Sequence, residues 1–161
     1  WEDSHIELVN DKRSLEDLLD SDIKPYIELS SKLDAVMCAH INFPNIDDHI
    51  PSHSYFWLND VLKKIINYKG LIFSDDLTMQ GSGNDSCSKK AIKAIDASCD
   101  MVLICNNRKE AINVVSTFED NKVSLSKKIS RMKKKSIVVW EDLRASNRKI
   151  NIQNKLETIR S

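Results

Sequence analysis

The sequence predicts an α/β fold built on a parallel sheet, and three observations lead there. Three short, near-continuous apolar runs alternate with segments whose apolar residues recur every three to four positions. That alternation is the pattern of right-handed βαβ units. The runs show no in–out exchange of apolar and polar residues, as expected of strands covered on both faces. Each run also ends in polar residues: His40, then Ser74-Asp75-Asp76, then Asn106-Asn107. In parallel α/β folds the carboxyl edge of the sheet binds ligands, because the loops leaving it are free to vary.

Taken in order, the first helix is expected after Asp22, which can cap it. Pro25 then falls in its first turn, where a missing N–H costs little. Asp34-Ala-Val-Met-Cys-Ala-His40 is the first strand. A proline-bearing loop follows, and His49 and His53 beside it read as surface residues. Trp57-Leu58, Val61-Leu62 and Ile65-Ile66 recur at helical spacing. Gly70 to Ser74 is the second strand. Ala91-Ile92, Ala94-Ile95 and Ala97 mark the next helix, and Asp100 to Cys105 the third strand. Ala111-Ile112, Val114-Val115 and Phe118 carry the last helix of the pattern. From Ser124 onward the tail reads as helical, and Lys133-Lys134-Lys135 as a solvated turn. The chain is therefore divided into residues 1–120 and a helical C-terminal extension, 121–161.

Two adjacent carboxylates at the end of an apolar strand are costly unless paired, hydrated or used. Strand alternation puts Leu71, Phe73 and Asp75 on one face. Asp75 then projects at the open end of the sheet. Asp76 turns toward the helical layer or the next turn, as a cap or a local ion-pair partner.

Composition narrows the function classes. A hydrophobic fraction of 41% supports a core, and 24 basic residues against 24 acidic ones give no electrostatic case for nucleic acid or an anionic membrane. No apolar run approaches the roughly 20 residues that span a bilayer. No signal peptide is visible. Cys38, Cys87, Cys99 and Cys105 form no CxxC pair, which speaks against a zinc site and for free, buried thiols in a reducing compartment.

Gly70-Leu-Ile-Phe-Ser-Asp75-Asp-Leu-Thr-Met resembles the nucleophile segment of glycoside hydrolase family 3. Within that family it is similar to the bacterial cytoplasmic β-N-acetylglucosaminidases (β-hexosaminidases) of peptidoglycan recycling. Val61-Leu62-Lys63 fits the same pattern, with Ile65 where an acidic or polar residue is usual. Lys32 to His40 resembles the preceding barrel strand, with Cys38 in place of proline. Asp96 to Arg108 resembles the last strand and its loop, with Ser98 in place of glycine. Asp3-Ser4-His5 resembles the Asp-Ser-His element of a mobile catalytic loop.

The resemblance implies the C-terminal part of a (β/α)8 TIM-type barrel, its last three parallel strands with their helices, plus the helical tail. A whole barrel takes about 250 residues, and the family's upstream Lys-His-Phe-Pro-Gly-His-Gly segment is absent. An N-terminal half supplying the other strands is thus an expected partner. Asp75 is implied as the nucleophile of a retaining hydrolase, His5 as acid/base, and Asp3 as the group orienting His5. The implied substrate is a muropeptide or disaccharide carrying terminal β-linked N-acetylglucosamine. No metal or cofactor is implied, nor a nucleic-acid or membrane partner, and the location implied is cytoplasmic. The alternative is a non-catalytic remnant of a split or decaying gene, or an interaction half-domain. Residues 1 to 12 are expected to form a loosely packed loop. His40 reads equally as pocket-lining or core, and Asn106, Asn107 and Arg108 as site neighbours or helix caps.

Overall fold

The computed structural model describes residues 7–124, 126–133 and 139–160. The chain divides into two units between Arg131 and Met132. The first unit carries, in order, β1 (Val9–Asn10), α1 (Leu15–Asp20), α2 (Lys24–Leu29), β2 (Ala35–Met37), β3 (Ile41–Asn42) and a π-helix (Phe56–Ile65). It continues with β4 (Leu71–Asp76), α3 (Cys87–Ala97), β5 (Met101–Leu103) and α4 (Arg108–Asp120). Short 3-10 turns lie at Pro51–His53 and Gln80–Ser82.

The three expected strands are present and form one sheet in the order β2-β4-β5, all parallel. β4 is central and runs on through Asp76, past the expected end at Ser74. Ile72 is fully buried and belongs to a cluster with Trp57, Leu58 and Val61 of the π-helix and Ala94 and Ala97 of α3. Burial of a side chain of that size stabilises by roughly 1.5–3 kcal/mol. A second cluster joins Leu77 to Ala91 of α3 and Val114 of α4. Helices thus cover one face of the sheet and hold β4 in place.

Local sequence explains the helix limits. Ser14 and Asp17 form a reciprocal capping box at α1, which the sequence reading did not assign. Asp22 does not cap α2; Ile23 is the cap residue, and Asp22 Oδ2 instead accepts from Arg13 Nη1 at 2.5 Å. The expected helix at 57–66 is wound as a π-helix and still buries Trp57, Leu58 and Val61 on one side. Ser54 Oγ accepts from Trp57 N at 3.0 Å at its start. The apolar spacing of α4 overstates its burial: Val114 is buried, whereas Ile112 and Val115 are exposed.

The expectation of a loose segment at residues 1–12 needs correction where it is described; residues 1–6 lie outside the described residues. β1 pairs in parallel with β3. Asp11 N donates to Asn42 O at 2.8 Å, Asn42 Nδ2 to Asn10 Oδ1 at 2.7 Å, and Asn45 Nδ2 to Lys12 O. Arg13 pairs with both Asp11 and Asp22. Residues 9–13 are thereby tied to the loop after β2, through polar contacts that no apolar periodicity announces.

The second unit contains α5 (Trp140–Ala145) and α6 (Asn147–Arg160), with Arg144 stacked over the Trp140 ring at 5.5 Å. Lys133 lies in a bend; Lys134 and Lys135 lie outside the described residues. No described helix is long and apolar enough to cross a membrane.

The amino-terminal edge of β4 is closed tightly. Tyr68 Oη donates to Leu71 O at 3.1 Å, and burial, with the Asp100 and Asp34 charges adding to it, pushes the phenol up to about 12. Asp100, 6% exposed, accepts from Ile72 N at 2.9 Å, and Lys128 Nζ donates to Gly70 O at 3.1 Å. A Cβ on Gly70 would lie 2.1 Å from Tyr68 Oη and 2.7 Å from Asp34 O. Gly70→Ala is therefore expected to lower stability by roughly 1–3 kcal/mol through overpacking. Chemical denaturation checks this; an unchanged midpoint would show that Tyr68 can move aside at no cost.

Candidate active site

The carboxyl edge of β4 is shaped by a break in register. Phe73 lies opposite Met101, but Asp76 lies opposite Leu103, so β4 spends one residue more than β5 between these pairs. Such a bulge bends a strand and re-aims its side chains. Burial still alternates into it, with Ile72 and Ser74 buried and Phe73 and Asp75 half-buried.

Side chains repair the ladder there. Ser74 is fully buried, and its Oγ accepts from Leu103 N at 3.1 Å while donating to Asp75 O at 2.8 Å. Asp76 Oδ1 accepts from Thr78 N at 2.9 Å and Cys105 N at 3.0 Å, and its Oδ2 accepts from Thr78 Oγ1 at 2.7 Å. Burial alone would raise the Asp76 carboxyl, but these donors from Cys105 and Thr78 outweigh it and hold the group below the usual carboxylate range. Asp76 is thus the loop-holding member of the pair, tying the exit of β4 to the exit of β5.

Asp75 sits half-exposed at the same edge. Its Oδ1 accepts from Asp76 N at 2.8 Å. Among the described residues Oδ2 receives no hydrogen bond. One oxygen is fixed and the other is available, which suits a carboxylate that must reach an electrophile. Asp3 and His5, the other two expected site residues, lie outside the described residues.

His40 is fully buried at this edge. Its Nε2 lies 3.1 Å from Asp76 O and its Nδ1 3.3 Å from Ser52 Oγ. A carbonyl can only accept, so Nε2 carries the hydrogen and Nδ1 accepts from the Ser52 hydroxyl. Burial holds the imidazole below its ordinary range and Lys90 adds to this, against the pull of Asp75, Asp76 and the Asp76 carbonyl.

Other expectations divide. Asn107 caps α4 by accepting from Glu110 N at 3.1 Å. His49 is a surface residue, its side chain 66% exposed. His53 is not: its Nε2 is shielded, and burial together with the His40, Lys93, Lys90 and His49 charges pushes it down to about 4. The four cysteines are free, as expected, yet Cys105 is exposed, not buried. Ser52 and Cys105 N entered no sequence reading, and Thr78 entered only as a member of the quoted Gly70–Met79 segment. Ser74, directly before Asp75, was the one signal in plain view.

Residues 1–134 match the family described as "Glycosyl hydrolase family 3 N terminal domain". The Beta-hexosaminidase of Idiomarina loihiensis is 42% identical over 114 residues, covering 70% of this chain and 34% of its own. That of Haemophilus influenzae (strain Rd) is 36% identical over 168 residues, covering 99% of this chain and 48% of its own. The crystal structure of NagZ from Neisseria gonorrhoeae in complex with N-trifluoroacetyl-D-glucosamine is similar with a TM-score of 0.66 at 35% identity, covering 80% of this chain and 37% of that one. The chain spans about half the length, or less, of these curated relatives. With most of its length matched and the carboxylate-bearing strand end in place, the chain belongs to glycosyl hydrolase family 3.

Proposed function

We propose that this chain supplies the nucleophile-bearing part of a retaining β-N-acetylglucosaminidase that removes terminal β-linked N-acetylglucosamine from peptidoglycan fragments. The observation that carries the reading is Asp75, with one oxygen pinned by Asp76 N and the other accepting nothing from the described residues. The names of the similar relatives, and the glucosamine derivative bound to one of them, support the sugar class. The fold reading is the last three strands of a (β/α)8 barrel, residues 1–120 forming its C-terminal part and 121–161 a helical extension. Three parallel strands adjacent in chain order support it. The remaining strands would come from an N-terminal half.

In the first step the Asp75 carboxylate attacks the anomeric carbon, forming a C–O bond as the glycosidic C–O bond breaks. His5 gives its proton to the departing oxygen. In the second step His5 takes a proton from water, whose oxygen attacks the same carbon and releases Asp75. Asp3 holds the imidazole in the required tautomer and stabilises its cation.

In the intact protein that carries this chain, an aryl N-acetyl-β-glucosaminide should be hydrolysed with the β-anomer as the first product seen by NMR. Absence of hydrolysis would favour the non-catalytic remnant. Asp75→Ala should lower kcat by roughly 10,000-fold or more, and near-normal turnover would sink the nucleophile assignment. His5→Ala should slow glycosides with poor leaving groups by roughly 100- to 10,000-fold while affecting activated aryl glycosides far less. Asp3→Asn should follow the same pattern more weakly. Equal slowing of both substrate types in the glycosylation step would remove His5 as the acid.

Asp76 predicts a contrasting result. Asp76→Ala strands its donors and should cost roughly 1–3 kcal/mol of stability, whereas Asp76→Asn keeps an acceptor and should cost less. Because the folded-state pKa of Asp76 is depressed, its contribution is present above the unfolded value and lost as pH falls through the folded one. The stability gap between wild type and Asp76→Ala should hold above about pH 5 and narrow progressively as pH falls below about 4. Urea titrations at several pH values check this, and a gap independent of pH down to full protonation would contradict it.

A further inference from the structure

We propose that His40 is a positioning residue for Asp75, acting as a neutral hydrogen-bond donor that holds the backbone of Asp76, the residue whose N–H the Asp75 carboxylate leans on. The inference rests on the hydrolase reading for its catalytic half and on geometry for the rest. The main-chain groups of Asp76 work in opposite directions. Its N–H holds Asp75 Oδ1 at 2.8 Å, and its C=O is held by His40 Nε2 at 3.1 Å. The two groups lie in consecutive peptides joined at the Asp76 Cα, so a shift of the Asp76 backbone would carry the carboxylate with it, and the imidazole, by holding the carbonyl, sets the aim of Oδ2 without touching it. Ser52, itself fully buried, donates to Nδ1 and so selects the tautomer that places the hydrogen on Nε2.

The alternative is a satisfied core histidine, buried and hydrogen-bonded but without consequence for the reaction. Two features separate His40 from that role. Both its hydrogen bonds run along a single relay, Ser52 to His40 to the residue directly after Asp75. The charges facing the ring are Asp75, Asp76 and Lys90, and His40 in turn acts on His53. A cationic ring would draw the Asp75 carboxylate toward itself; a neutral donor holds the Asp76 carbonyl and leaves the carboxylate free.

The test uses the intact protein and has two parts. Nitrogen-15 NMR of the histidine rings should show His40 with its hydrogen on Nε2 and taking a proton only at a pH below that at which a free imidazole does. A ring that takes a proton as readily as a free imidazole, or carries its hydrogen on Nδ1, overturns the proposal whatever the turnover. With 4-nitrophenyl N-acetyl-β-glucosaminide, His40→Ala should lower kcat by roughly 10- to 100-fold, the scale of a misplaced reacting group, with KM moved less than about threefold. His40→Gln, whose amide can donate near the Nε2 position, should recover most of that loss; Ser52→Ala should lose several-fold. Equal thermal melting of His40→Gln and wild type keeps the comparison clear of folding defects. Normal kcat in His40→Ala, or no recovery in a folded His40→Gln, overturns the positioning role. A wild type without turnover overturns the hydrolase reading, and the catalytic half of this one with it.

Discussion

Where β4 leaves the register of β5, main-chain N–H groups of the β5 exit lose the partners that a regular parallel ladder would give them. The side chains that take over are those flanking Asp75. Ser74 Oγ serves Leu103 N, and Asp76 Oδ1 serves Cys105 N. Unpaired buried N–H groups are expensive, so this repair is a condition of the bulge. The Ser-Asp-Asp sequence is thus one device. Its first and third members satisfy the backbone, which leaves the second unengaged on one oxygen.

The rest of the first unit supports that strand end from both sides. At the amino-terminal edge, Asp100 accepts from Ile72 N while Asp100 N donates to Ile72 O at 2.7 Å. This locks the register of β4 against β5 directly below the bulge. Against the helices, Ile72 and Leu77 anchor the strand in two apolar clusters. The loop after β2 closes the carboxyl edge through His40 and Ser52, and the same loop grips residues 9–13 through β3. The segment that follows Asp3 and His5 in sequence is therefore tethered, by Asn42 and Asn45, to the loop that carries His40.

His53 shows how little of this a local reading can see. Its neighbours Pro51, Ser52 and Ser54 suggest a polar surface loop. In the fold, Ser52 and Ser54 turn inward to bond His40 and the start of the π-helix, and His53 follows them out of solvent. Its neutral state is a result of packing.

The sequence alone determined the parallel α/β class, the three strands and their order, and the place of Asp75 and Asp76 at a strand end. These follow from local rules: apolar runs with no polar alternation, helical spacing between them, and a carboxylate pair at a strand end. Helix ends were less legible, because Ser14 and Asp22 offer equally good caps and Arg13 takes Asp22 away. What only the tertiary structure decided depends on contacts between residues distant in the chain. The bulge arises from how β4 and β5 meet. The β1–β3 pair joins residues about thirty positions apart through asparagines with no periodic signature. His40 was ambiguous between core and site because its role is fixed by Ser52 and by a carbonyl of β4, and neither partner is marked by residue type or spacing. Periodicity records which face of an element is dry. It does not record which polar groups must find each other once that face is buried.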